Sequence, residues 1–200
     1  MSNDPDFDEK RRAIVSLYLR PPPGVTILSI DEKPSIQALG RLHPDLPMRP
    51  GEPVAREFEY VRHGVMHLFA AFNVRTGLVD GEVYPDKTHD EFIDLLDRLA
   101  WRYRSGPVIG IVDNAGYHTT DEVEEWLDDH PRFQLVFTPT HASWLNQVEC
   151  WFSILSRQLL ARGDFAGKEM LRRAIWAYID HWNRRAHPFD WAYGEDLLAA

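Results

Sequence analysis

Two segments decide how this chain is read: Val108-Ile109-Gly110-Ile111-Val112 ending on Asp113-Asn114, and Asn146-Gln147-Val148-Glu149-Cys150-Trp151-Phe152 further on. The first is apolar, too short for a helix and bounded by Gly106-Pro107 and Asp113-Asn114, which predicts a buried strand. The second carries apolar residues at helical spacing, with Val148, Phe152, Leu155 and Leu159 on one stripe. An acid just past a strand and another near a helix start form half of a metal site. Val25-Thr26-Ile27-Leu28-Ser29-Ile30 supplies a second apolar run, and Asp31 follows it directly.

Each acid also has an ordinary structural explanation. Asp113, with Asn114 and Gly116 nearby, fits a turn or helix cap. Asp31 is followed by Glu32, and strand alternation sends the two to opposite faces; Asp31 is preferred because it comes first past the apolar run. Asn146-x-x-Glu149 matches a capping box, in which the glutamate serves only the backbone. Against that, Glu149 lies roughly 90° from the centre of the apolar stripe at about 100° per residue, a boundary position facing along the sheet edge. Two carboxylates about 4 Å apart repel by roughly 4 kcal/mol at an effective dielectric near 20. Three together call for protonation or a cation, and hard oxygen donors suit Mg²⁺ or Mn²⁺. Two such ions serve in-line phosphoryl displacement.

The remaining chain supplies a frame. Asp6 to Arg20 is predicted to be a short amphipathic helix capped by Asp6, with Ile14, Leu17 and Leu19 inward, stopped by Pro21-Pro22-Pro23-Gly24. Lys33 to His63, with five prolines and Arg41, Arg49, Arg56 and Arg62, reads as a long irregular segment. Val65–Val74 and Leu78–Tyr84 read as a hairpin turning at Arg75-Thr76-Gly77. Thr88 with Glu91 opens a helix whose inner stripe is Phe92, Leu95, Leu96 and Leu99. Helices are expected over Thr120–His130, about Asn146–Arg162 and Lys168–Arg185, and a strand over Phe133–Phe137. Strand, hairpin, helix, strand, helix, strand, helix, helix is the order of an α/β protein with a mixed central sheet flanked by helices.

The 200 residues suffice for one filled core, and 44% hydrophobic content argues against disorder. No apolar run is long enough to span a bilayer. The one cysteine, Cys150, excludes an internal disulfide, fits a reducing cytoplasm and is expected to fill a gap on its helix. A net charge of −9 sits awkwardly with a nucleic-acid partner. Charge is uneven, however: residues 121–129 hold six acids and no base, whereas residues 151–190 hold seven bases against four acids. Trp144, Trp151, Trp176, Trp182 and Trp191 are assigned to packing rather than to base stacking.

Several stretches together resemble the catalytic domain of IS630-type transposases, in the Tc1/mariner superfamily of DDE endonucleases. They are Leu28-Ser29-Ile30-Asp31-Glu32-Lys33 with Ile36-Gln37-Ala38-Leu39, Tyr60-x-Arg62-His63-Gly64 with Leu68-Phe69-Ala70-Ala71, and Val112-Asp113-Asn114-x-Gly116-x-His118. Phe137-Thr138-Pro139-Thr140-x-Ala142-Ser143-Trp144-Leu145-Asn146-x-Val148-Glu149-x-Trp151-Phe152 and Tyr178-Ile179-x-His181-Trp182-Asn183 complete the series. The resemblance implies an RNase H-like fold, with Asp31, Asp113 and Glu149 as catalytic residues and metal ligands. It further implies two Mg²⁺ or Mn²⁺ ions, cleavage at transposon ends and strand transfer into a TA target. DNA would be the partner, with a homodimer or larger assembly formed on it, and the setting the bacterial cytoplasm at the nucleoid. Lys33, Arg62, His63, Asn114, His118 and Asn146 would be supporting or DNA-positioning groups, and residues 33–63 a clamp-like insertion. Thr119 and Cys150 depart from the pattern, standing where basic residues are usual.

This gives an N-terminal helix and linker over residues 1–23, a catalytic domain over 24–187 and a tail over 188–200, which either packs on the domain or docks a second protomer. Only 24 residues precede Val25, so the N-terminal helix-turn-helix region of the family is expected to be absent from this chain and binding to transposon ends to be weak. Two other readings compete: a catalytically silent DNA-binding or assembly remnant of a transposase, and another RNase H-like nuclease.

Overall fold

The computed structural model describes residues 4–42, 60–140 and 142–193. Five strands form one sheet: β1 (Thr26–Arg41), β2 (Tyr60–Asn73), β3 (Val79–Tyr84), β4 (Val108–Val112) and β5 (Phe133–Phe137). Their order is β3-β2-β1-β4-β5, antiparallel from β3 to β1 and parallel from β1 to β5. The five principal helices are α1 (Phe7–Leu19), α2 (His89–Arg102), α3 (Asp121–Asp129), α4 (Val148–Gln158) and α5 (Lys168–Asn183). The expected mixed sheet flanked by helices is therefore present. None of the described helices is long and apolar enough to cross a membrane.

Both faces of the sheet are covered, which is why its strands read as continuous apolar runs. On one face Leu28, Ile30, Phe69 and Ala71 meet Phe92, Leu95, Leu96 and Leu99 of α2, with Val123 and Trp126 of α3. On the other, Leu68, Ala70 and Phe72 meet Trp151, Phe152 and Leu155 of α4 and Leu171, Ile175 and Ile179 of α5. Ile14, Val15 and Tyr18 of α1 pack with Ala142 and Leu145, ahead of α4, against Ile27 and Ile111. The stripes of α2 and α4 fall largely where the periodicity puts them, and the Thr88–Glu91 capping box forms, with Glu91 Oε2 accepting the Thr88 N–H at 2.7 Å.

The main correction concerns residues 33–63. Lys33 to Arg41 continues β1, and Tyr60 to His63 opens β2 against it; residues 43–59 lie outside the described residues. Pro34 looked like a breaker, but the register slips between Lys33 and Ile36, where β1 uses one more residue than β2. Ser35 sits at φ 56 in this bulge. A bulge is where a strand tolerates proline, and the extra residue reverses the faces. Leu28 and Ile30 pack toward α2, whereas Ile36 and Ala38 join the core under α4 and α5.

Smaller corrections concern the helix starts and the aromatic residues. Asp6 makes no side-chain cap to α1, and α4 begins at Val148 rather than Asn146 because the Asn146 side chain is used elsewhere. Trp144 and Trp176 are exposed while Trp151 is fully buried, and Cys150 is exposed rather than filling a gap.

The β2–β3 hairpin turns where expected. Asn73 Oδ1 accepts the N–H groups of Arg75 and Thr76, each at 3.1 Å, and Gly77 adopts φ 72. Trp182 Nε1 donates to Gly77 O at 2.8 Å, and Asn183 bonds both polar backbone atoms of Val79. The end of α5 thus clips the hairpin. Residues 188–193 follow onto the domain: Phe189 stacks on Phe72 at 4.7 Å and Trp191 meets Tyr18 at 5.3 Å. A Cβ on Gly77 would lie 2.0 Å from the His187 carbonyl oxygen, in a backbone region costly for L residues. Gly77→Ala is expected to destabilise the chain by about 2 kcal/mol or more, read as a lower midpoint in urea; an unchanged midpoint would show that the tail yields freely.

Candidate active site

β1 and β4 run parallel as neighbours, with Ser29 level with Ile111. Two residues further along each strand come Asp31 and Asp113, so adjacent strands deliver both carboxylates at one level, with strands spaced about 4.8 Å apart. β4 ends at Val112 while β1 continues against β2, opening a crevice beyond the carboxyl ends of the parallel strands. This is the switch point where sheets of this kind place their chemistry.

A buried polar cluster brings α4 to the same spot. Asn146 Nδ2 donates to Ile30 O at 2.9 Å and to Asp31 Oδ2 at 3.0 Å, and Ser29 Oγ bonds Asn146 Oδ1. Ser29 Oγ also accepts the Val148 N–H at 2.8 Å, tying the first turn of α4 to β1. Tyr18 adds support from α1, its hydroxyl donating to Leu145 O at 2.9 Å. Glu149, next in the chain after Val148, is half-buried at the boundary position the helical wheel assigns it. The Asn146–Glu149 capping box does not form, because Asn146 is spent on β1.

The electrostatics mark these acids as one group. Asp31 is only 5% exposed; burial, then the charges of Asp113, Glu32 and Glu149, push its carboxyl up to about 8. Glu149 is raised by burial and lowered by Lys33, with Glu32 and Asp113 raising it further. Asp113 is held below the usual carboxylate range, first by His118, whose Nδ1 stands 3.1 Å from Oδ1, and also by the Ala115 N–H and Lys87. His118 is buried against Phe92, 4.3 Å between ring centroids, so its position is fixed by packing.

Of the residues singled out from the sequence, the structure gathers Asp31, Asp113, Glu149, Lys33, His118 and Asn146. Asn114 stands beside them, its Nδ2 bonded to Thr138 O, joining the ends of β4 and β5. Arg62 and His63 are not part of this group. Arg62 pairs with Leu39, eight residues along β1 from Asp31, which is roughly 25 Å at about 3.3 Å per residue. Sequence reasoning missed Ser29 and Lys87 and set Glu32 aside in favour of Asp31. Ser29 had a signal, a lone hydroxyl inside an apolar strand; the placement of Lys87 had none.

Among the described residues, no three His, Cys, Asp or Glu side chains are gathered closely enough to hold a metal ion as they stand. The donor set nonetheless fits a hard divalent cation. It consists of carboxylate oxygens, and the burial and mutual repulsion that raise Asp31 are what a bound cation relieves.

Residues 26–172 match the model of the DDE superfamily endonucleases. The chain belongs to this DDE endonuclease family. A relative in Shigella sonnei, the insertion element IS630 uncharacterized 39 kDa protein, is 36% identical over 84 residues, which cover 42% of this chain and 24% of the relative. The Mos1 transposase paired-end complex with left transposon end has a similar fold, with TM-score 0.62 and 17% identity over 94% of this chain and 57% of that one. The catalytic domain of Mos1 mariner transposase gives TM-score 0.56 and 14% identity over 94% of this chain and 85% of that chain. The present DDE chain thus spans about a quarter of the IS630 relative and little over half of the Mos1 chain in the paired-end complex. The DDE endonuclease reading is borne out by the family model, part of the chain is similar to the IS630 relative, and the fold, shared with the Mos1 catalytic domain, is RNase H-like.

Proposed function

We propose that this domain cuts phosphodiester bonds at transposon ends and transfers the freed strand into target DNA at TA. Asp31, Asp113 and Glu149 are its catalytic residues and hold two Mg²⁺ or Mn²⁺ ions. The carrying observation is that the three acids, 118 residues apart from end to end, sit at one end of β1 and β4 and act on each other's ionisation. Bound there, divalent ions would activate a water or a 3′-hydroxyl and stabilise the leaving oxygen. The chain's own groups prepare the site. His118 keeps Asp113 ionised and oriented, Asn146 fixes the Asp31 carboxylate, and the Ser29–Val148 bond sets where Glu149 enters.

DNA, as transposon ends and target, is the proposed partner, with two or more copies assembled on it in the bacterial cytoplasm. The Mos1 neighbours include paired-end complexes with Mg and with Mn, which supports both the partner and the ions. The excess of acids elsewhere on the chain limits the affinity of this chain alone for transposon ends. A nanomolar, sequence-specific complex at physiological salt contradicts that weakness. The decisive test is nicking of supercoiled plasmid or repeat-end DNA in Mn²⁺. The wild-type chain is expected to nick and Asp113→Asn to lose at least about 10³-fold in rate. A folded wild-type chain that does not nick, or an Asp113→Asn variant that nicks equally well, refutes this function and leaves a silent assembly module. Preference for an RNA–DNA hybrid over a pre-cut transposon end would point instead to an RNase H-like nuclease.

A further inference from the structure

Lys87 lies in the loop between β3 and α2, just ahead of the Thr88 cap, and its Nζ stands 3.4 Å from Glu32 Oε1. The two partners differ sharply in environment: the Lys87 side chain is 44% exposed, the Glu32 side chain 10%. Glu32 Oε2 is buried, and the buried Tyr117 hydroxyl lies beside this carboxylate. As a stabilising device this pair is poor. An exposed ammonium contributes about 0–1 kcal/mol to an ion pair, while burying the carboxylate is costly. What the pair accomplishes is placement. Glu32 is covalently next to Asp31, so the carboxylate that reaches Lys87 anchors a solvent-facing cation at the rim of the catalytic group.

The ammonium has three donors, and the single long contact to Glu32 leaves two for another acceptor. The charge of Lys33 acts on Glu149 and that of Lys87 on Asp113. Two lysines therefore act on the acids of a molecule of net charge −9, where such placement is not explained by a general excess of bases. We propose that Lys87 is a DNA-backbone contact of this site, held by Glu32 beside Asp31 and Asp113 so that it takes a non-bridging phosphate oxygen of the strand lying across the carboxylates. The proposal rests on the nuclease reading above. It assigns Glu32 a positioning role on the sheet face opposite Asp31, and gives the β3–α2 loop a part in substrate binding.

The test uses the full chain with a fluorescein-labelled 30-base-pair duplex, read by anisotropy in Ca²⁺ over a salt series, beside Mn²⁺-dependent plasmid nicking. Lys87→Gln is expected to lower the slope of log K against log salt by about one and to weaken binding about tenfold. The KM for plasmid should rise by more than kcat falls, Lys87→Arg should restore the slope, and Glu32→Gln should reproduce part of the KM rise. A Lys87→Gln slope and KM equal to the wild-type values overturn the proposal and leave the pair as a loop tether. A changed slope with no nicking by the wild-type chain upholds the phosphate contact and sinks the nuclease reading, so the two fail separately. Circular dichroism melts of each variant identify any loss that comes from unfolding.

Discussion

Asp31→Asn is expected to make the chain inactive in Mn²⁺ and, in EDTA at pH 8, more stable than the wild type. Asp31 is buried, and its carboxyl is pushed up to about 8 by burial first and by Asp113 next. A carboxyl whose pKa is higher folded than unfolded supports the fold most fully at pH below the unfolded value of about 3.9, and that support drains away as pH rises toward 8. The asparagine side chain does not titrate. Its oxygen can still accept from Asn146 Nδ2, although the Glu32 N–H, now 2.8 Å from Asp31 Oδ1, loses an acceptor. The stability gap between variant and wild type should therefore be smallest near pH 4 and widen to pH 8, reaching on the order of 1–3 kcal/mol. Adding Mn²⁺ should raise the melting temperature of the wild type and leave Asp31→Asn nearly unmoved, since a ligand stabilises only the fold that binds it. Thermal melts at four pH values, with and without Mn²⁺, decide it. A variant that is less stable than the wild type at pH 8, or that gains equally from Mn²⁺, would show that Asp31 is a structural aspartate.

Asn146→Ala should move stability the other way, costing both stability and activity. Asn146 is fully buried, and its amide holds Ile30 O, Asp31 Oδ2 and Ser29 Oγ at once. Truncation strands these acceptors and the Ser29 hydroxyl away from water, at a cost of about 2–4 kcal/mol. Because Ser29 Oγ in turn receives the first N–H of α4, the loosened serine lets the start of the helix drift, and Glu149 with it. A nicking rate at least about 100-fold lower in a still-folded protein is the expected result, since small misplacements of catalytic groups are that costly. Ser29→Ala removes one link of the same chain and should fall between Asn146→Ala and wild type in both readouts. A wild-type melting temperature for Asn146→Ala would mean that water replaces the amide without penalty and that Glu149 is held by α4 packing alone.

The two variants separate the jobs of neighbouring polar residues. Asp31 is a group whose charge the fold tolerates at a loss, as expected where a functional site departs from the packing optimum. Asn146 is a group the fold requires. In the sequence both look alike, a polar residue at the edge of an apolar run.

What the sequence determined by itself was the frame. Apolar runs at Val25–Ile30 and Val108–Val112, helical spacing in α2 and α4, and the Thr88–Glu91 box are local signals, because side-chain period and backbone capping act over a few residues. The three acids were singled out on equally local signals, Asp31 and Asp113 just past apolar runs and Glu149 at the edge of a helical stripe. What only tertiary structure decided was non-local. Pro34 could not announce that β1 runs on through a bulge, because the pairing that rescues it comes from β2. Arg62 and His63 stand in one of the matching stretches but are carried away from the site by the length of the β1–β2 pair. Asn146 reads as a helix cap until Ser29 and Asp31, more than a hundred residues earlier, take its amide. Local periodicity fixes which way a side chain faces, whereas which polar groups meet depends on how distant strands align, and only the folded chain carries that.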